Sequence, residues 1–305
     1  MVHHAVAVTG ASGFIGSRIV RALAGRGVGV RALVRPGGIL TGGPHVEPVT
    51  GSLEDDVALA ELVEGASVVV HCAGVVRGTD YASFGRVNVE GTRRIVCAAL
   101  AACCQRFVLI SSLAAREPSI SPYAASKHAA ELMLQETAAD LDWTIVRPPA
   151  VYGPGDKELT PLFRLMSRGL ALQFGPQDSR FSLLHVDDLA DAVTACVHGD
   201  VGQSVLTLDD GRPGGYDWQS VIGIAESLWG RRILRLPLPK SLMWLPAAGN
   251  YLAGRLLPYR PMLTPGKLRE FHHRDWVCGN DLITAKTGWR PRRDLAAGLR
   301  SLRLR

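Results

Sequence analysis

Several things that would point to a function are scarce or missing in this sequence. Its six cysteines, at 72, 97, 103, 104, 196 and 278, form no C-x-x-C pair and no metal-ligand spacing, so no metal site is indicated. Cys72, Cys97 and Cys196 sit in apolar runs where a thiol packs as a small hydrophobe. All six are expected to be reduced, which points to the cytoplasm. Aromatic residues are only 6% of the chain and are not interleaved with basic ones as in a single-strand binder; no nucleic-acid partner is expected. The opening MVHHAVAVTG enters an apolar strand pattern within a few residues and lacks the basic and apolar regions and cleavage site of a signal peptide, so no export is expected. Internal repeats and low-complexity tracts are absent.

What is present suffices for a folded enzyme-sized protein: 305 residues, 47% of them apolar, enough to fill a sizeable core. The net charge of +6 raises the question of an anionic partner. Much positive charge lies in the arginine-rich end, GWRPRRDLAAGLRSLRLR, which reads as a solvated, partly helical tail.

The first half alternates β-branched runs with helical patterns: HAVAVTG, FIGSRIVRALAGRG, VGVRALVRP, SLEDDVALAELVEG and ASVVVHCAG, then FGRVNVEGTRRIVCAALAA, RFVLISS, a helix opened by Tyr123, and DWTIVRPPAVYG. Strands almost continuous in Val, Ile and Leu between helices indicate a parallel sheet covered on both faces. The expected fold class is therefore α/β, a Rossmann-type doubly wound sheet, with a smaller C-terminal α/β region. The expected division is residues 1–155 for the dinucleotide-binding domain, with later segments returning to it, and 156–305 for a mainly substrate-binding region. Within the latter, residues 236–265 hold six of the eighteen prolines and the apolar SLMWLPAAGNYLAGRLLP, broken by Pro246, Asn250 and Arg255. No uncharged run there reaches the roughly 20 residues of a bilayer span. This segment reads as a lid or pocket wall, with ordinary core and a membrane-surface contact as the other readings.

Gly10, Gly13 and Gly16 lie between the first strand and first helix in VAVTGASGFIGSRIV. Glycines there permit a tight turn, close approach of a pyrophosphate and close helix packing, while the helix start offers N–H groups to the anion. Phe14 and Ile15 belong to the same loop. At the end of the second strand, where an NAD site usually carries an acidic residue for the ribose hydroxyl, the chain has Arg35, which suits the 2′-phosphate of NADP. NADP(H) is the expected cofactor, with NAD(H) as the alternative. In SPYAASKHAAE, Tyr123 and Lys127 stand four apart and share one helix face. His71, His185 and the adjacent His272 and His273 have no metal-ligand spacing and read as structural; Asp187 and Asp188 read as residues that cap and orient a helix.

With the glycine loop and the Tyr-Lys pair in one chain, the sequence resembles the extended short-chain dehydrogenase/reductases, the NAD-dependent epimerase/dehydratase family, over roughly residues 5 to 200. TGASGFIG matches the glycine loop, and HCAG, including Cys72, Ala73 and Gly74, matches the strand end on the adenosine side. NVEGT from Asn88, LISS ending at Ser112, YAASK, RPPAVYGPGD and HVDDLA follow in the family's order. The resemblance implies Tyr123 as acid/base, Lys127 as its electrostatic partner and ribose ligand, and Ser112 as the hydroxyl that holds the substrate oxygen. It further implies that Leu53 and Asn88 face the cofactor and that Pro148 and Val151 border the nicotinamide. Two departures stand out. Ser52 replaces an aspartate common near the adenine, leaving the backbone to serve there. Leu113 and Ala114 replace the Asp-Glu pair of sugar-nucleotide 4,6-dehydratases, so elimination of water has no acid/base pair.

A tyrosine is a poor base at neutral pH, and a neighbouring ammonium and a positive nicotinamide are expected to lower its pKa. The implied activity is reduction of a ketone or oxidation of a secondary alcohol. Leu, Trp, Tyr, Met and Pro in residues 236–265, in place of polar groups for a nucleotide, favour a hydrophobic, lipid-like substrate. The ending LTPGKLREFHHRDWVCGN is similar to bacterial family members of lipid metabolism, of the keto-sphingolipid (3-oxo-ceramide) reductase type. Other readings are a nucleotide-sugar 4-epimerase with tightly held NAD and a non-catalytic NADP-binding subunit or sensor. A homodimer and a peripheral contact at the inner membrane face are both compatible with the sequence.

Overall fold

The computed structural model describes residues 5–40, 43–256, 261 and 263–304. Residues 257–260 and 262 of the apolar Pro-rich segment lie outside the described residues. The β-branched runs form β1 (Ala5–Thr9), β2 (Val30–Val34), β3 (Val46–Thr50), β4 (Ala66–His71), β5 (Arg106–Ile110) and β6 (Asp142–Arg147). The helices between them are α1 (Phe14–Ala24), α2 (Asp56–Val63), α3 (Tyr81–Gly85), α4 (Gly91–Ala101) and α5 (Pro122–Thr137). Later come β7 (Ala150–Tyr152), α6 (Thr160–Ser167), β8 (Leu170–Phe174), β9 (Arg180–Phe181), β10 (Leu183–His185), α7 (Val186–His198) and β11 (Ser204–Thr207). The chain continues with α8 (Trp218–Trp229), β12 (Leu234–Leu238), α9 (Lys240–Leu256), α10 (Pro265–His272), β13 (Asp275–Trp276), α11 (Asp281–Thr287) and α12 (Leu295–Ser301).

Seven strands make one sheet in the order β3-β2-β1-β4-β5-β6-β11, with every pairing parallel. The order reverses between β1 and β4, and ligands of such sheets bind at the strand ends beside this switch. Val6, Ala7 and Val8 of β1 are buried, as a strand covered on both faces requires. One core joins β1 to Ile19, Val20 and Leu23 of α1 and to Leu189 and Val193 of α7. The other face packs on Leu59 and Leu62 of α2, Ile95 of α4 and Leu134 of α5. Residues after 155 thus return to the first unit, as helix α7, as edge strand β11 and through Ile283 of α11 and Trp289.

Elements α6, α8 and α12 build a separate core around Tyr152, Phe163, Tyr216, Ile222, Leu295 and Leu299, edged by short parallel pairs such as β8 with β12. The arginine-rich end is not a solvated tail: α12 packs into this core, and the buried Asp188 holds Arg293 Nη1 at 2.6 Å and accepts from the backbone N–H groups of Arg292 and Arg293. Asp187 pairs with Arg18 at 3.2 Å. These two carboxylates therefore join distant segments, while the N-cap of α7 is His185. Among the described residues no helix is long and apolar enough to cross a membrane.

Candidate active site

The first βα turn is shaped for an anion. Gly10 adopts φ +68°, and a Cβ there would come within 2.7 Å of the Ala73 nitrogen at the end of β4. At Gly16 a Cβ would lie 2.1 Å from the Gly10 carbonyl oxygen. Gly13 caps α1 without a side-chain acceptor, so the first N–H groups of α1 stay free for a diphosphate. Phe14 and Ile15, half-buried, open this helix. Arg35 is exposed just past β2, whereas Leu53 packs so closely on Gly91 that a Cβ there would meet Leu53 Cδ1 at 2.7 Å. Cys72, Ala73 and Gly74 continue β4 across the switch point. Small residues at both strand ends leave a cradle that fits a dinucleotide, with Gly74 facing Asn88 and Lys127.

Asn88 reaches the cradle from a π-helical turn, Arg86–Glu90, inserted between α3 and α4. Such an insertion re-aims side chains, and π-turns recur at functional sites. The Asn88 amide accepts from Val75 N–H at 2.8 Å and donates to the Val75 carbonyl and to Ser126 Oγ. Behind it the buried His71 bridges Thr9 Oγ1 at 2.7 Å and Thr92 Oγ1 at 3.0 Å. Burial, with Lys127 nearby, lowers the His71 pKa to about 3, so this imidazole is neutral and structural.

Helix α5 starts with Ser121 as N-cap, its Oγ accepting from Ala124 N–H at 3.0 Å, and with Pro122 at its first position; both are favoured there. This start puts Tyr123 in the first turn, pointing across to Ser112. Lys127, one turn on, donates from Nζ to the Ile110 carbonyl at 2.9 Å and borders Gly74. Burial holds the Lys127 ammonium below its usual range. The adjacent serines are divided: Ser111 is tied to buried Glu131, itself paired with Arg147, while Ser112 caps a short turn, accepting from Ala114 N–H. Pro148 is buried and its carbonyl accepts from Leu113 N–H at 2.8 Å, fixing this turn; Val151 pairs with Leu184 between β7 and β10. Ser52 Oγ accepts from Glu54 N–H at 3.2 Å.

The ammonium that acts on Tyr123 is not the expected Lys127. Burial pushes the Tyr123 phenol above the usual tyrosine range, and the groups that draw it back are Ser112, by a hydrogen bond, and Lys267. The cation acting on the ring is thus Lys267 of α10, whose Nζ lies 5.9 Å from the Tyr123 ring centroid. Glu270 pairs with Lys267 at 2.7 Å and accepts from Ser121 Oγ at 2.5 Å. Arg269 donates to the Ile120 carbonyl at 2.7 Å, so α10 is fastened to the turn that carries Tyr123. In front of the phenol is a cavity lined by Val76, Phe84, Pro122, Pro261 and Lys267, with the Phe84 ring edge-on to Tyr123 at 5.8 Å. Lys267 and Glu270 belong to the LTPGKLREFHHRDWVCGN stretch, about 150 residues from Ser121, and only the fold brings them to the phenol.

A model of the family described as NAD dependent epimerase/dehydratase matches residues 6–205. Ceramide reductase of Caulobacter vibrioides is 42% identical over 283 residues, covering 89% of this chain and 85% of that protein. A 4-hydroxy-2-methyl-3-oxo-4-farnesyl-3,4-dihydroquinoline-1-oxide ketoreductase of Stigmatella aurantiaca is 31% identical over 236 residues, 68% of each chain. Among solved structures, MoeE5 in complex with UDP-glucuronic acid and NAD superposes with a TM-score of 0.76 over 97% of both chains at 24% identity, a likeness of fold.

Proposed function

The chain belongs to the NAD dependent epimerase/dehydratase family, and from that premise we propose that it reduces a ketone on a hydrophobic, lipid-like substrate, with NADPH as the preferred reductant. The observation that carries this reading is the half-buried Tyr123 phenol, hydrogen-bonded to Ser112 and facing a cavity where Val76, Phe84 and Pro261 stand beside Lys267 and Glu270. Two relatives named as reductases, one of a ceramide and one of a farnesylated quinoline oxide, support the substrate class. Arg35, exposed just past β2 and suited to pair with a phosphate, supports the choice of NADPH. A dinucleotide held by the Gly10–Gly16 turn would supply the hydride for the carbonyl carbon.

This chain's own groups handle the oxygen and the proton. Tyr123 donates its phenolic proton to the ketone oxygen as negative charge develops there, and Ser112 donates a hydrogen bond to the same oxygen. The raised phenol pKa keeps the proton in place at neutral pH until the carbonyl takes it. Lys127 presents its ammonium at Gly74, beside the cradle, where it would hold the ribose. Lys267 stabilises the phenolate left behind, which then recovers a proton from solvent. Leu113 and Ala114, both buried, offer no second acid or base, so the chemistry stops at the alcohol. The test is to follow NADPH oxidation with long-chain 3-keto lipids beside UDP-sugars. Consumption of NADPH with the lipids alone is the expected result; tightly retained NAD and sugar interconversion without net oxidation would overturn it.

A further inference from the structure

Surface helices usually turn one apolar stripe inward, yet α9 is apolar on both sides. Met243 and Ala247 are buried and pack with Leu268 of α10. On the outer side Leu242, Leu245, Leu252 and Leu256 are 64%, 73%, 58% and 82% exposed, with Trp244 at 53%. No charge interrupts the chain between Lys240 and Arg255. The preceding strand, β12, adds exposed Leu234 and Leu236. A contiguous set of large apolar side chains in water marks an interaction surface.

Charge identifies what covers it. Residues 230–256 contain Arg231, Arg232, Arg235, Lys240 and Arg255 and no aspartate or glutamate; all five are exposed. This one segment therefore carries a net charge of +5. A second copy would bring the same charges against these. Leucines and a tryptophan rimmed by arginine and lysine match the acyl boundary and the headgroups of an anionic bilayer.

We infer that the outer face of α9, together with β12, seats on the surface of an anionic phospholipid bilayer and delivers membrane-dissolved substrate to Tyr123. The delivery role rests on the lipid-ketone reading above; the surface itself does not. The connection to the site is direct. Gly254 of α9 approaches Thr79 and Pro261 so closely that a Cβ would lie 2.8 Å and 2.7 Å from them, and both residues line the cavity in front of Tyr123.

The test is co-sedimentation of the full chain with phosphatidylcholine vesicles and with vesicles containing about 30 mol% phosphatidylglycerol, at ionic strengths of about 0.1 and 0.5 M. Binding to the anionic vesicles is expected to be at least about tenfold stronger than to the neutral ones, and to weaken at the higher salt. Leu245→Glu with Leu252→Glu should lose it, with Tm and NADPH affinity unchanged. Arg231→Ser with Arg235→Ser should weaken it on anionic vesicles only. Failure of the wild type to sediment, or retention by the leucine variant, would overturn the inference. So would a concentration-dependent dimer in light scattering that the leucine variant abolishes. Sedimentation is read without substrate, so a chain that binds vesicles but reduces no lipid ketone would sink the function and leave the surface standing.

Discussion

Replacing Gly16 by alanine tests the dinucleotide cradle with one methyl group. The added Cβ would start 2.1 Å from the Gly10 carbonyl oxygen and 2.7 Å from its carbon, whereas ordinary contact begins at 3.4 Å. The obstacle is backbone, so the Gly10 turn or the start of α1 must move by about 1.3 Å, the difference between those distances. Overpacking of this kind costs about 1–3 kcal/mol. Displacing a ligand-positioning element by an ångström weakens its function roughly 100-fold. Titration of NADPH against protein fluorescence, with a urea melt alongside, reads both effects. Gly223→Ala on α8 is the control: its Cβ meets nothing within 4 Å, so it should leave NADPH binding alone and stabilise by up to about 1 kcal/mol. If Gly16→Ala bound NADPH with the wild-type Kd, the turn between β1 and α1 would not be the diphosphate cradle.

Other outcomes follow from the same geometry. Because Lys267 lowers the Tyr123 pKa, Lys267→Met should raise it. Alcohol oxidation, which needs phenolate, should then set in at higher pH than in the wild type, with Lys267→Arg close to normal; identical pH profiles would remove Lys267 from the site. The His71 pKa is depressed from 6.5 to about 3, so its contribution to stability is complete above about pH 6.5 and is lost as pH falls towards 3. By pH 5 this amounts to about 2 kcal/mol, and His71→Gln should show a correspondingly smaller loss between pH 7 and 5 in urea melts. Asp188→Ala removes the acceptor of two backbone N–H groups and of Arg293. It should cost about 2–4 kcal/mol and lower Tm without altering the NADPH-binding mode; an unchanged Tm would show that the C-terminal segment is not anchored there.

The parallel sheet was legible because β1, β2, β4, β5 and β6 are runs of mostly apolar, buried residues, a pattern local to five or six positions, whereas the edge strand β3, with Glu47, Pro48 and Thr50 exposed, carries no such mark. Tyr123 and Lys127 were legible for a similar reason: helical spacing and the Ser121-Pro122 start lie within one short stretch. What the sequence concealed depends on long-range packing. Lys267 and Glu270 reach the phenol only because α10 docks on the beginning of α5. The arginine-rich end looked solvated because its partner, Asp188, is over 100 residues away. In α9, Pro246 lacks the N–H that would bond back to residue 242. Packing of Met243 and Ala247 against Leu268 holds the helix across it. The π-helical turn at Asn88 had no compositional mark at all.

The central claim is that Tyr123 gives its proton to a ketone oxygen, and single-turnover NADPH oxidation with a long-chain 3-keto lipid tests it most directly. Wild type and Tyr123→Phe are compared, with the NADPH Kd of each measured in parallel. The predicted result is a rate roughly 100- to 10,000-fold lower in the variant at an unchanged Kd; a variant that turns over near the wild-type rate would contradict the mechanism.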